Sequence, residues 1–352
     1  MTGTIDEIWL DGTRKDELHA YMVDPHNLDV VRGELTGVKE GSVTLTEGYY
    51  TDTRVSGSIE VENDGSWIDG SWIRLIHTSP AYGYNDELAT LIPTKMSHTY
   101  QSTTFELQSA LWALNEDRLP CHYAIGEGAT AWQAFNRICD TCGKTGLILP
   151  GAQDYRYTST VIYEIGDSFL SDLFDIANTA GDRLNVDGHG RITLEAYTEP
   201  SQRTATWTLS LTDTRGIVGE TDGSWDEEPG KVSNRSIVVF KGDNDLELIG
   251  GADLDATSKY SAAHRGYTVA TVHDVNDMSP QTAARATELA RQYLATDSTE
   301  TITRQISTMW IPAHQGDIVD LIDMDGTSKK YLLKDIDKDT STWTCNLTLK
   351  EL

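Results

Sequence analysis

The sequence predicts a mainly β protein with α/β elements: two β-barrel-like domains joined and decorated by a small α/β domain. Three observations carry this. Short runs of alternating apolar and polar residues, separated by turns rich in Gly, Asp and Asn, occupy residues 1 to about 115 and return after residue 203. Between them lie two segments with an apolar rhythm of 3.6 residues, each closed by a glycine and followed by a strand pattern. No apolar run approaches the roughly 18 residues that a membrane span needs. A chain of 352 residues is too long for one ordinary core. The expected domains are 1–117 (β-barrel-like), 118–200 (small α/β, two helix–Gly–strand units) and 201–352 (β-rich, with a helix at 280–295, divisible into a barrel and an inserted subdomain).

The most legible stretch is Tyr163 to Tyr197. Asp167 and Ser168 offer N-caps, and Phe169/Leu170, Leu173/Phe174, Ile176/Ala177 and Ala180 form one apolar face. Gly181 can take the left-handed turn that ends a helix. The period then falls to two: Leu184 and Val186, a tight turn at Asp187-Gly188-His189-Gly190, and Ile192 and Leu194 on the return strand. A helix feeding a hairpin through a glycine is a packing unit rather than a catalytic one.

The N-terminal block reads as strands throughout. Ile8-Trp9-Leu10 runs into Asp11-Gly12, Val43 and Leu45 alternate with threonines, and Val55, Gly57, Ile59 and Val61 share a face before a turn at Asn63-Asp64-Gly65. Ser71 to His77 returns as a strand, Thr94 to Leu107 reads as another strand pair, and Ala110 to Leu114 is a short apolar segment. Asn115 to Pro120 is a polar boundary. Gly128 to Gly143 then repeats the helical pattern, with Trp132, Phe135, Ile138, Cys139 and Cys142 on one face and Leu147-Ile148-Leu149 as the strand after it.

In the last third, Thr204 to Leu211 and Val232 to Lys241 read as strands and Gly242 to Gly266 as loop. Ser279-Pro280 is a helix start, with Ala283, Ala286, Leu289, Ala290, Tyr293 and Leu294 on its apolar face. From Thr299 to Ile311 the chain alternates, with Ile302, Arg304, Ile306, Thr308 and Trp310 facing one way. The turn Pro312-Ala313-His314-Gln315-Gly316-Asp317 leads into Ile318-Val319-Asp320-Leu321, and Lys330 to Ile336 and Thr342 to Leu349 end the chain as strands.

The hairpin pattern Val186-Asp187-Gly188-His189-Gly190-Arg191-Ile192, the Asn115–Gly143 segment, and the order helix, long alternating strand, Pro-x-x-x-Gly-Asp turn and short apolar strand resemble the tail hub (baseplate hub) proteins of bacteriophages and related contractile machines. The resemblance implies a homotrimer with two barrel domains per chain, hence a ring six-fold toward the tail tube and three-fold toward the tip. It implies a virion structural protein made in the host cytoplasm. The implied partners are further copies of itself, a tail-tube or distal tail protein, a tape-measure protein and tip or fibre proteins, with DNA passing through unbound and no membrane insertion.

Charge agrees with that picture. With 28 Lys and Arg against 55 Asp and Glu the net charge is −27, the reverse of the basic surface that grips phosphates. The N-terminal residues lack the basic and apolar regions of a signal peptide. Four cysteines, Cys121, Cys139, Cys142 and Cys345, are too few for a disulfide framework.

No catalytic, cofactor or metal residue is assigned. Cys139-x-x-Cys142 lacks the second ligand pair of a zinc site, and it ends a helix rather than starting one as a redox pair would; both thiols read as core. Neither His122 nor His189 has ligand-like spacing. The acidic turns Asp323-Met324-Asp325-Gly326, Asp253-Leu254-Asp255 and Asp243-Asn244-Asp245 do not match a calcium loop and read as solvated turns, with a looser calcium site shared between chains as the alternative. Asp317 reads as a turn former and His264-Arg265 as isolated. Two alternatives remain from other classes. A tail-associated cell-envelope hydrolase would need a carboxylate pair in a cleft. A carbohydrate-binding β-protein would need Trp67, Trp72, Trp112 and Trp132 as a platform, where a core or interface role is the commoner one.

Overall fold

A computed structural model describes residues 3–4, 9, 14–63, 65–213, 216–217, 225–241, 247–274, 282–298 and 302–352. In chain order the strands are β1 (Gly3–Thr4), β2 (Glu17–Asp24), β3 (Asn27–Glu34), β4 (Thr44–Gly48), β5 (Val55–Glu62), β6 (Trp72–Ser79), β7 (Tyr84–His98) and β8 (Ser102–Gln108). Helix α1 (Ala110–Glu116), β9 (Tyr123–Ile125), α2 (Ala131–Thr141), β10 (Gly146–Ile148), β11 (Val161–Tyr163), α3 (Phe169–Ala180), β12 (Asp182–Val186) and β13 (Ile192–Ala196) follow. After them come β14 (Trp207–Ser210), β15 (Asp226–Glu227), β16 (Arg235–Lys241), β17 (Glu247–Asp253), α4 (Ala262–Arg265), β18 (Ala270–Asp274), α5 (Ala283–Asp297), β19 (Ile302–Met309), β20 (Ile318–Ile322), β21 (Ser328–Asp339) and β22 (Thr344–Glu351). The protein is mainly β with α/β elements, as the alternation predicts.

The chain divides into two compact units, residues 1–223 with 305–350, and residues 224–304. In the first, strands pair along one open path, β1-β14-β20-β21-β4-β5-β8-β7-β6-β2-β3, with β22 and β19 branching from β21. The junction between the N- and C-terminal strands is antiparallel, with Lys338 opposite Leu45 and Ile336 opposite Glu47. Alternation decides which side chains go inward: Val55, Ile59 and Val61 of β5 are buried, as are Ile306, Thr308 and Trp310 around β19. These join Leu107, Leu321, Leu333 and Leu347 in one apolar core. The strand pair expected at Thr94 to Leu107 is present, and its first strand begins ten residues earlier, at Tyr84. A proline at position 93 does not end it, because the ladder shifts register there.

A second core gathers around α1, α2 and α3. Helix α2 begins with a reciprocal cap between Thr130 and Gln133, and α3 begins on the Ser168 hydroxyl and ends at Gly181 in the left-handed conformation. The two helix–Gly–strand segments meet: β10 runs parallel to β13 and β12 antiparallel to it. Each segment also has a strand in front of its helix, which the sequence reading did not include. Tyr123-Ala124-Ile125-Gly126-Glu127 recurs as Tyr163-Glu164-Ile165-Gly166-Asp167. The matching tyrosines face each other across the β9–β11 pair, their rings stacked at 6.1 Å.

The unit 224–304 holds a three-stranded sheet, β17-β16-β18, packed against α5. Its core is Val238, Phe240, Ala286, Leu289 and Ala290. Two expectations change here. Residues 242–266 were expected to be loop, yet they contain β17 and α4. The helix expected at 280–295 runs from Ala283 to Asp297. The β17 pattern is obscured by Gly250 and Gly251, and glycine at 250 is a packing requirement: a Cβ there would lie 2.2 Å from the Thr287 nitrogen of α5. Ile8, Leu10, Asp11, Gly12, Asp64, Asp243-Asn244-Asp245 and Ser279-Pro280 lie outside the described residues.

Candidate functional site

A cluster of charged side chains, two of them buried, sits where the N- and C-terminal strands join. Glu47 lies on β4 in phase with Leu45, and Lys338 on β21 in phase with Ile336, so both point into the sheet. Lys338 Nζ is 2.5 Å from Glu47 Oε1, with the two side chains 0% and 3% exposed. On the other side of Glu47, His314 Nδ1 is 3.1 Å from Oε2, and the Gln315 backbone N–H donates to the same oxygen at 3.2 Å. His314 Nε2 then lies 3.7 Å from Asp86 Oδ2 on β7. The Pro312–Asp317 turn is thereby held between two carboxylates. Asp317 Oδ2 fixes the turn by accepting from the His314 backbone N–H (3.0 Å) and from Trp207 Nε1 (2.8 Å).

Electrostatics fix the protonation of this set. Burial alone would raise the Glu47 carboxyl, but the charges of Lys338 and His314 outweigh it and hold it well below the usual range. The Glu47 carboxylate pushes His314 up to about 9. Asp86 is also lowered: burial opposes this, and His314 overcomes it. At neutral pH the set is therefore two carboxylates and two cations, a clamp that keeps its charge rather than a relay that moves protons. Glu47, Asp86 and His314 line a cavity of about 280 Å³ together with Asn185 and the turn Asp187-Gly188.

That turn is the tip of the β12–β13 hairpin, and it is docked rather than free. Gly188 O accepts from Thr90 Oγ1 at 2.9 Å, and the Arg74 guanidinium donates to Leu28 O (2.8 Å) and His189 O (3.3 Å). His189 sits between Glu87 (3.0 Å) and Asp29 (2.9 Å). A Cβ on Gly188 would lie 1.9 Å from Glu87 O, so only glycine allows this approach. A second buried ionic set, Arg14–Asp16 at 2.7 Å with His77 Nε2 at 3.2 Å from Asp16, lies among Trp9, Tyr84, Trp310 and Trp343.

The residues weighed for chemistry have ordinary neighbours. Cys139 is buried on the apolar face of α2 and Cys142 is half-buried at its end, and burial pushes both thiols up to about 12. Replacing both with alanine is expected to cost about 1–3 kcal/mol and to release no metal. In native protein, Ellman's reagent should label exposed Cys121 fast and this pair slowly; stoichiometric zinc lost in the double variant would contradict the core role. His122 pairs with Glu164 at 3.1 Å. Asp325 accepts from the Thr327 backbone and hydroxyl, Asp255 does the same with Thr257, and Asp253 pairs with Arg235 at 2.6 Å. His264-Arg265 ends α4, where Arg265 donates to Val232 O. Trp72 is buried and Trp67 packs on Phe105.

The Glu47–Lys338–His314–Asp86 set was missed by sequence reasoning. Its signal was a charged residue on the apolar parity of a strand, at 47 and again at 338. Among the described residues, no group of three or more His, Cys, Asp or Glu is arranged to hold a metal ion, and no helix is long and apolar enough to cross a membrane.

No family model matches the chain, and no curated protein does. Solved structures do match, over nearly the whole chain. A tail protein from Neisseria meningitidis MC58 superposes with a TM-score of 0.67 at 14% identity, covering 95% of this chain and 96% of that one. The prophage MuSo2 43 kDa tail protein from Shewanella oneidensis gives 0.63 at 11% identity, covering 96% and 98%. The E. coli c3393 protein, a component of the type VI secretion system described as similar to the T4 bacteriophage tail proteins gp27 and gp5, gives 0.52 at 12% identity, covering 96% and 76%. The chain shares its fold with these tail and secretion-system proteins.

Proposed function

We propose that this chain is a structural hub protein of a phage tail tip or baseplate: a homotrimeric ring that joins the tail tube to tip or fibre components and lets DNA pass. The observation that carries this is the extent of the fold match, which uses 95% of this chain and 96% of the Neisseria tail protein and leaves little of either chain unmatched. The chain's charged sets support a structural role. Glu47, Lys338 and His314 clamp three chain segments together. The partners in this reading are a tail-tube or distal tail protein, a tape-measure protein and tip or fibre proteins. Antibody labelling of intact virions should mark the tail tip; label confined to capsids, or absent from virions, would contradict it.

The surplus of 27 acidic groups has a use on the inner wall of such a ring. A basic wall would retain the duplex, because each neutralised phosphate releases counterions. An acidic wall keeps it centred, the repulsion fading over a Debye length of about 8 Å. A gel shift at low ionic strength is expected to show no duplex binding. Tight, salt-sensitive binding, or a lumen lined with Arg and Lys in a tail reconstruction, would overturn the acidic channel.

A further inference from the structure

We infer that Asp172 is a proton-sensitive latch in the core formed by α1, α2 and α3: as a neutral acid it packs between the helices, and as a carboxylate it loosens them. The two longer helices show that the position suits an apolar residue. Counted from their N-caps, Thr130 and Ser168, they run in step. Phe135 matches Leu173, Ile138 matches Ile176, and Gly143 matches Gly181, both glycines in the left-handed conformation. In that register Asp172 matches Ala134, and both are buried, at 2% and 3% exposure. One helix fills the site with a methyl group, and the other places a carboxyl there.

That carboxyl has no strong partner. Helix α3 packs on α1 and α2. Asp172 Oδ2 is closed to water and accepts no hydrogen bond among the described residues, and Oδ1 has only the adjoining Ser171 hydroxyl, at 3.5 Å. The other carboxylates of the segment have donors: Asp167 accepts from the Glu164 N–H (2.9 Å) and Asp175 from the Tyr163 hydroxyl (2.8 Å). The groups facing Asp172 offer no balancing charge. Asp167 and Asp175 are acidic. From β9, β11 and the end of α2 come the Tyr123 and Tyr163 hydroxyls and the Cys142 thiol, each raised first by burial and further by nearby charge, that of Asp172 included. Asp117, at the end of α1, adds another negative charge beside Cys142. Two cations of this core are held on rings, Arg137 over Tyr123 at 5.2 Å and Lys144 over Trp72 at 4.9 Å. Burial, and then the Asp167 carboxylate, push the Asp172 carboxyl up to about 6. The first turn of α3 favours an anion only modestly, and burial outweighs it.

The folded value lies above the ordinary 3.8, so acid favours the closed core. Below 3.8 the carboxyl is neutral whether the core is closed or open, and it costs nothing. Between 3.8 and about 6 the open form gives up the proton more readily, and above about 6 the full penalty is present. The helical core is therefore firmest in acid and loosest at neutral pH. Helix α3 leads through Gly181 into β12, so the loosening reaches the hairpin whose Gly188 carbonyl docks on Thr90.

The test compares the full chain with Asp172→Asn, which keeps the shape of the acid and cannot ionise, by urea denaturation and amide exchange. Every other titrating group, the Glu47 set included, is common to both chains and cancels. The opening constant of the wild type relative to the variant should grow ~25-fold between about pH 4.5 and about pH 7.5. Amide exchange in α3 and β12 should follow it. Asp172→Ala, which copies Ala134, should give the same pH dependence. Carboxyl-carbon NMR of the wild type should place the Asp172 midpoint near 6, a reading that needs no variant to fold. A ratio that does not change with pH, or a carboxyl midpoint at the ordinary aspartate value, would overturn the latch.

Discussion

Gly188→Ala is expected to destabilise the chain by about 3 kcal/mol or more, among the largest effects of any single methyl group added to this protein. The reason is local. The new carbon would lie 1.9 Å from Glu87 O and 2.9 Å from its carbonyl carbon, so backbone must move, and no flexible side chain can absorb the overlap. Moving it undocks the hairpin tip and frees Thr90 and Arg74 from their carbonyl partners. Urea denaturation should show a lowered midpoint, and amide exchange should quicken in β12 and β13 before it does in β20 and β21. An unchanged midpoint would mean that the hairpin does not dock as described.

The second large effect is at Glu47. Glu47→Ala leaves the Lys338 ammonium, 0% exposed, without its carboxylate, and is expected to cost about 3–5 kcal/mol. Glu47→Leu combined with Lys338→Met should recover most of that, since an apolar pair of similar volume needs no compensation. The set also predicts a pH profile. Glu47 is lowered in the folded state, so the stability it adds is present above its unfolded value and lost as pH falls through the folded one. His314 is raised from 6.5 to about 9, so its share is full below 6.5 and lost as pH rises through about 9. That share of stability should therefore plateau between about 4.5 and 6.5. Water reaches 43% of the His314 side chain, which makes the alkaline decline the shallower of the two. In Glu47→Gln the alkaline decline should shrink; an unaltered profile would rule out the clamp.

Local rules made much of the fold legible. Ser168, the apolar face of α3 and Gly181 specify one helix with both its ends, because caps and periodicity act over a few residues. Val55, Ile59 and Val61 announce a strand and its buried face in the same way. What escaped is what distant residues impose. Gly250 and Gly251 look like loop until α5 is seen to press on the strand. Glu47 and Lys338 are 291 positions apart, and no local pattern says that two charges on apolar parity will meet. The repeat from Tyr123 to Glu127 and from Tyr163 to Asp167 was there to be read, but its strands are three residues long and carry too little alternation to stand out.

The proposed three-membered ring is tested most directly by a cryo-microscopic reconstruction of the tail tip, which counts the copies of this chain. Three copies should surround the axis. One copy, or a ring of six, would contradict it.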